Sequence, residues 1–393
     1  MPSSDLYELA IVGAGSFGMS TGYYAARSGA RVLLIDAGDP PHDGGSHHGA
    51  TRIFRTAYTM GPAYVSLAIR SRRLWLELAA EARSRAGGDG SGAPEIYRET
   101  GCLSIGPSGS RFLETKLASC REFGIPHEHL PAGEAAARWP GLRVPPSSEA
   151  LFEPQAGILF CETIIRLYRE LALARGAHLL TNTRALRIVR ESGRTNTSRI
   201  ETDRGAFFAS RVLVAAGAYS AEVLPELKEL VRPVRKPIAW FHAPEELYGE
   251  GRFPVFIVHD GGDAEYFGFP ALNGEGLKVG RHDGGHPAPF GEPIPPFGHY
   301  EQDEGDLRRF LDRYLPQVGG LRQGSVCLYE NAPGEAFLIG PVPGRPGVWF
   351  AGGGSGHGFK FASAVGESLA ASLTHGHIAD GSDLTAFHFQ LQP

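Results

Sequence analysis

Apolar residues run almost unbroken through 7–12 and Val32–Ile35, which predicts two buried strands; between them lie a glycine turn and a helix opening at Ser16. Residues 7–36 therefore read as strand, turn, helix and a second strand that ends in an acid, Asp36. Leu67, Leu74, Trp75 and Leu78 place one apolar face on a helix over 65–80, and a further helix is predicted over 161–175 with a short strand, His178–Leu180, behind it. The run Val-Leu-Val-Ala-Ala-Gly in 209–217 predicts a buried strand ending in small residues, where a doubly wound sheet comes close to a ligand. Residues 231–241, 255–258, 265–269 and 277–281 are short extended segments separated by Gly and Pro clusters, the pattern of an antiparallel sheet. At the far end, 348–351 is an apolar strand, 352–358 a glycine-rich turn and 361–374 a helix, so both ends of the chain build one nucleotide-type fold.

Other stretches lack such periodicity. Residues 49–58 are polar and rich in charge, 86–94 form a Gly/Ser-rich linker or loop, and 138–153 are broken by the turns Trp-Pro-Gly and Val-Pro-Pro-Ser-Ser. With 393 residues the chain is long enough for one large or two medium domains. No apolar run reaches membrane-spanning length, and Met-Pro-Ser-Ser-Asp at the start has no basic flank, so we expect no membrane partner, no cleaved leader and a cytoplasmic location. A formal charge of -5 with scattered acids and arginines gives no basic stripe, which argues against nucleic acid and for small-molecule partners. Cys102, Cys120, Cys161 and Cys327 form no C-x-x-C pair, and taken alone each is a buried apolar thiol. His47-His48, with no cysteine or carboxylate at ligand spacing, gives no metal site.

The chemistry begins at the first turn. Gly13 permits a tight turn, Gly15 lets the backbone approach a pyrophosphate, Gly18 brings helix and strand together, and Asp36 can accept from ribose hydroxyls. The helix beginning at Ser16 points unpaired N–H groups at the phosphates. An acid after the second strand favours NAD or FAD over NADP and leaves those two open.

Lysine is scarce: only Lys116, Lys228, Lys236, Lys278 and Lys360 stand among 38 basic residues. A position that keeps lysine against a drift to arginine has use for a compact ammonium or a shiftable pKa, which singles out Lys278 and Lys360.

Several strings carry a family likeness: Pro-Pro-His at 40–42, Gly-Ser-His-His-Gly at 45–49, then Thr51, Arg52, Arg55 and Ala57-Tyr58. Arg138-Trp-Pro-Gly, Phe152-Glu-Pro, Gly157, Pro233-Val-Arg-Lys, Tyr266-Phe-Gly-Phe-Pro, Gly276-Leu-Lys, Val326-Cys-Leu-Tyr and Ser355-Gly-His-Gly-Phe-Lys-Phe continue it. Over essentially its whole length the chain resembles the monomeric sarcosine oxidase and N-methyltryptophan oxidase group, flavoprotein amine oxidases of the D-amino-acid-oxidase superfamily. Pro233-Val-Arg-Lys and Leu277-Lys lean toward the N-methyltryptophan branch.

The resemblance implies an α/β protein: a Rossmann-like FAD-binding domain from 1–90, 156–228 and 332–393, and an α+β substrate domain with an antiparallel sheet from 91–155 and 229–331. It implies FAD joined through a thioether at Cys327, a reaction that needs a thiolate and hence nearby positive charge. Lys278 matches the lysine that meets the reactive edge of the flavin through water, where a fixed charge stabilises the anion formed from dioxygen. Arg55 and Lys360 match the pair that holds the substrate carboxylate, Arg52 the arginine under the flavin ring, His48 and His282 active-site histidines, and Tyr329 an active-site tyrosine. Histidine there could tune deprotonation of the substrate amine. Ser46, Thr51, Gly217, Gly356 and Gly358, with Lys360, complete the residues expected at the cofactor, the turn 353–358 facing the flavin's pyrimidine end.

The sequence departs from the family pattern at Ala50 in place of an acid, Thr56 in place of a histidine and Phe267 in place of a tyrosine. Each change removes a hydrogen-bonding group near the expected substrate, and Phe267 suits a larger or more apolar amine than sarcosine. The expected protein is a monomeric oxidase of N-methyl or other secondary α-amino acids, with the amino acid and dioxygen as its small-molecule partners. Alternatives are an oxidase of a cyclic imino acid such as pipecolate or proline, an NAD-dependent dehydrogenase, and a flavin-binding protein without turnover.

Overall fold

The first strand, Leu6–Val12, is apolar and buried on both faces from Leu9 onward and lies inside a parallel sheet, between Val32–Ile35 and Gly205–Val214. The computed structural model describes residues 6–87, 91–191, 193, 196–262, 264–375 and 384–391. Residues 1–5, on which the expectation about a leader rests, and 88–90 of the expected linker lie outside the described residues. His178–Leu180 extends the sheet beyond Val32–Ile35, and Val348–Gly352 joins Gly205–Val214, both in parallel. Ser198–Thr202, Ala185–Arg190 and Leu338–Pro341 add antiparallel strands to make eight.

Helix Ser16–Arg27 leaves the carboxyl end of the first strand through Gly13, whose φ is 93°. A Cβ at Gly13 would stand 2.5 Å from the Ala215 carbonyl oxygen, and one at Gly18 only 1.8 Å from that of Gly13. No side chain fits either position, and this closeness sets the helix N-terminus at the carboxyl edge of the sheet. Helices Cys161–Ala174 and Ala362–Thr374 pack against it, close to the expected bounds. The helix expected over 65–80 extends to Pro62–Ala86, with proline in its first turn and Gly87 at its end.

The second sheet has nine strands. Arg232–Phe241 runs antiparallel to Leu321–Asn331, and on its other side to Leu277–Arg281 and His286–Pro287. Glu265–Phe269, Val255–His259, Cys102–Pro107, Ser148–Glu153 and Glu128–Pro131 follow in order. The expected antiparallel sheet is thus mixed: Val255–His259 and Cys102–Pro107, brought in by separate passes of the chain, pair in parallel. Helix Gln302–Tyr314 covers one face, with Phe310 stacked 4.3 Å from the Tyr266 ring. A buried two-pronged ion pair, Arg235 to Asp303, fastens it to the sheet.

A three-stranded sheet carries the expectation about 49–58 to a different outcome. Thr51–Phe54 is a strand, paired antiparallel with Gly157–Phe160, which also pairs with Tyr97–Glu99. Its charge hid its strand character, because Arg52 serves an interior site and breaks the apolar text. Arg52 and Arg55 therefore do not stand one helical turn apart, as a helix would place them; the backbone between them is extended.

Candidate active site

A cavity of about 480 Å3 opens along the carboxyl edge of the parallel sheet. Val12, Gly13, Gly15, Asp36, His47 and Gly217 line it at one end, Ser46, Arg52, Gly354, Gly356 and Gly358 further along. Asp36 accepts from the Ala14 N–H at 2.7 Å and the Gly38 N–H at 2.8 Å, and meets His42 Nε2 at 3.0 Å. Burial alone would raise its pKa, but these partners outweigh it and hold the carboxyl below its ordinary value, while the pairing raises that of His42.

A second cavity of about 140 Å3 continues from the first, sharing Arg52, Tyr329, Gly356 and Phe359 as lining. Arg55 and Lys360, both buried, converge there on Tyr58: the guanidinium sits 4.1 Å from the ring centroid, and Lys360 Nζ donates to the hydroxyl at 3.0 Å and to the His357 carbonyl at 2.9 Å. Burial, and then the neighbouring Arg55 charge, push the Lys360 pKa well below that of a free lysine. A bound carboxylate would offset both effects with its own charge, so the pair can hold an anion.

On another wall, Lys278 Nζ donates to the Gly49 carbonyl, and to Thr51 Oγ1 at 3.2 Å. Burial and Arg52 bring its pKa down to about 7. Arg52 reaches past the Ser46 and His48 carbonyls to stand 3.9 Å from Cys327 Sγ. Burial would raise the Cys327 pKa, but the neighbouring His48 and the charges of Arg52 and Lys278 bring it down to about 7. Cys102, Cys120 and Cys161 are instead pushed up to about 12 by burial.

Gly13, Gly15, Asp36, Ser46, Arg52, Gly217, Gly356 and Gly358, all expected at the cofactor, line the larger cavity. Gly18 and Thr51 line neither: Gly18 serves the helix–strand contact, and Thr51 holds Lys278. Lys278, His282, Arg55, Lys360, Phe267 and Cys327 line the smaller one, and Tyr329 lines both. His48 lies behind this lining, beside Cys327, with its carbonyl on Arg52. Sequence reasoning passed over Tyr58, Glu265, Glu330, Glu335 and His357, which also line the cavities. Lys116 and Lys236, lysines kept among the same many arginines, are as buried as Lys278 and Lys360.

The donor set fits a flavin dinucleotide. A Cβ at Gly356 would lie 1.9 Å from the Tyr329 ring, so the backbone stays bare at the junction of the cavities. His47 Nε2 and Glu330 Oε1, on residues of the larger cavity's lining, are buried with no hydrogen-bond partner. A family model described as FAD dependent oxidoreductase (DAO) matches residues 8–372. The chain belongs to that family. This FAD-dependent oxidoreductase is 41% identical over 374 residues to a monomeric sarcosine oxidase of Bacillus sp. (strain B-0618), covering 92% of this chain and 91% of that one. It is 38% identical over 381 residues to an N-methyl-L-tryptophan oxidase of Salmonella dublin, covering 97% and 98%. Among solved structures, NikD, an unusual amino acid oxidase, matches the oxidoreductase with a TM-score of 0.82 at 21% identity, covering 98% of each chain, and confirms the fold. Among the described residues no helix is long and apolar enough to cross a membrane, and no group of three or more His, Cys, Asp or Glu could hold a metal ion.

Proposed function

We propose that the oxidoreductase oxidises the C–N bond of N-methyl or other secondary α-amino acids, with FAD joined to Cys327, and works as a monomer. One observation carries this reading: the buried cations Arg55 and Lys360 share a small cavity with Lys278 and the low-pKa thiol of Cys327. The named activities of the relatives at 38% to 41% identity support the substrate class. Two large sheets that draw their strands from separate segments support the division into 1–90, 156–228 and 332–393 for the cofactor and 91–155 and 229–331 for the substrate.

Bound FAD supplies the two-electron acceptor for the C–N bond, and dioxygen takes those electrons on to hydrogen peroxide. Arg55 and Lys360 hold the substrate carboxylate and so fix the amine's position. Phe267, Phe269 and Ile257 line the cavity with apolar surface and keep water from the reacting carbon. Lys278 holds positive charge where dioxygen becomes an anion. Oxidation of an N-methyl group gives an imine, and addition of water releases formaldehyde and a primary amino acid.

The test begins with purified protein, precipitated in acid and read for flavin in pellet and supernatant. Flavin in the pellet, moving to the supernatant in Cys327→Ser, supports the covalent link. A panel of secondary amino acids assayed for peroxide and formaldehyde then decides the substrate. Peroxide without formaldehyde from every substrate would replace N-methyl compounds with cyclic imino acids, and no peroxide from any would defeat the oxidase reading.

A further inference from the structure

Strands Glu265–Phe269 and Leu277–Arg281 form one wall of the smaller cavity, and their pairing orders it in steps. Phe269 stands opposite Lys278 and Phe267 opposite Gly280; one step on, the His282 N–H donates to the Glu265 carbonyl at 2.7 Å. Paired positions face the same side and alternate along a strand, so Lys278, Phe269, Phe267, Glu265 and His282 share the cavity face. Tyr266 and Arg281 face away, to Phe310 and to Asp283 with Asp306. At about 7 Å for every two residues, Glu265 sits roughly 13 Å along the wall from Lys278.

The carboxylate of Glu265 is in the cavity lining but forms no side-chain hydrogen bond or ion pair among the described residues. The cations around it are engaged elsewhere. Lys116 donates to Ser104 at 2.8 Å, Lys236 to the carbonyls of His282 and Gly284, and Arg281 to its two aspartates. His282 faces Glu335 at 3.6 Å, which adds a second acid near this end. Arg55 and Lys360 feel the Glu265 charge across the cavity but are fastened to the Tyr58 side. A ligand that fills this space strips water from Glu265, which is costly for a carboxylate without a partner.

We infer that Glu265 selects an amino acid with a second positive charge, its side chain ending in an amine or a guanidinium. The inference rests on the oxidase reading above and narrows its substrate class. The carboxylate goes to Arg55 and Lys360, and the distal cation passes the Phe267 ring to Glu265. Phe267 is suited to this path, since an aliphatic stem packs on its ring without competing for hydrogen bonds.

Binding of non-oxidisable probes tests the inference without turnover. The holoenzyme is titrated with 5-aminopentanoate and 6-aminohexanoate against their uncharged shape-mates hexanoate and heptanoate, and Kd is read from the perturbed flavin spectrum. One amino probe should bind about tenfold or more tighter than its mate, and Glu265→Gln should abolish the preference while Glu265→Asp keeps part of it. Equal binding of both mates to the native enzyme, or an unchanged preference in Glu265→Gln, overturns the inference alone. A loss of affinity in Glu265→Gln equal for charged and uncharged probes also overturns it, leaving Glu265 as a counter-charge to the clamp. No binding of any carboxylate to flavin-loaded enzyme overturns the clamp and the inference together.

Discussion

Arg52 Nη2 stands 3.9 Å from the sulfur of Cys327, although 275 residues separate them in the chain. The arginine rises from the small sheet at Thr51–Phe54 and the cysteine from the long strand Leu321–Asn331, so the contact joins the three-stranded sheet to the nine-stranded one. The same guanidinium nitrogen is held by the carbonyls of Ser46 and His48, which fixes its charge beside the thiol. Burial pushes a thiol pKa up, and here a hydrogen bond with His48 and then the charges of Arg52 and Lys278 reverse that result.

The proposed covalent attachment of FAD should therefore depend on pH in one direction. The thiolate is the nucleophile and forms as pH rises through about 7. Apoprotein mixed with FAD should retain flavin through acid precipitation about tenfold more slowly one pH unit below that midpoint than on the plateau above it. Arg52→Met should move the midpoint upward. An unmoved midpoint would assign the shift to His48 and Lys278 instead.

Much of this arrangement was legible in the sequence, and the limits have physical causes. The nucleotide turn could be read because glycine at 13 and 18 is a steric demand that any sequence must meet in the same way. The strand at Thr51–Phe54 could not, since Arg52 interrupts its apolar pattern in order to reach Cys327. Helix Gln302–Tyr314 went unread for a related reason: its buried Asp303 looks like solvent-facing text until Arg235 is placed beside it. Glu265 shares its alternation with Phe267, yet nothing in the sequence alone says which face of that strand meets the cavity.

Lys278→Met should slow reoxidation by dioxygen by about a hundredfold or more, the usual loss when one preorganised charge is removed from a developing anion. Anaerobic reduction by substrate should change far less. Rapid mixing of reduced enzyme with oxygen separates the two steps, and equal losses in both would assign Lys278 to substrate oxidation.

Glu153 braces the segment that carries Arg55, one of the two residues proposed to hold the substrate carboxylate. Its Oε2 accepts from the Thr56 and Ala57 N–H groups at 3.0 and 2.9 Å and from the Thr56 hydroxyl at 3.1 Å, bracing the turn between Arg55 and Tyr58. Glu153→Ala leaves those donors buried and unpaired, at about 1–3 kcal/mol each, and should lower Tm and raise KM by more than it lowers kcat. Glu153→Gln retains an acceptor oxygen and should recover most of both. A KM unchanged in the alanine variant would confine Glu153 to stability.

The pair Arg235–Asp303, with each side chain 1% exposed, should be costly to break. Asp303→Asn leaves a buried guanidinium without its counter-charge, a loss of about 3–5 kcal/mol that calorimetry would read as a large fall in Tm. Burial would raise the Asp303 pKa, but Arg235 outweighs it and holds it below the ordinary carboxyl value. The pair's stabilisation is therefore complete above the unfolded-state pKa and disappears as pH falls through the lowered one.

Glu330 presents the opposite sign. Its carboxyl is buried in the larger cavity's lining, accepts the Gly353 N–H at 3.0 Å on one oxygen and has no partner on the other. Burial pushes its pKa up from 4.5 to about 7. The folded protein thus binds this proton more tightly than the unfolded chain, and stability falls as pH rises from about 4.5 to about 7 and stays lower above that. Glu330→Gln keeps the shape and removes the titrating group, so the stability it recovers should grow as pH rises from about 4.5 to about 7 and stay constant above that. The gain has an upper bound of about 3 kcal/mol at pH ~8 and should be close to nothing at pH ~4, read as the difference in Tm between variant and native enzyme. An equal gain at both pH values would mean that the substitution acts through packing, and that folding does not raise the Glu330 pKa.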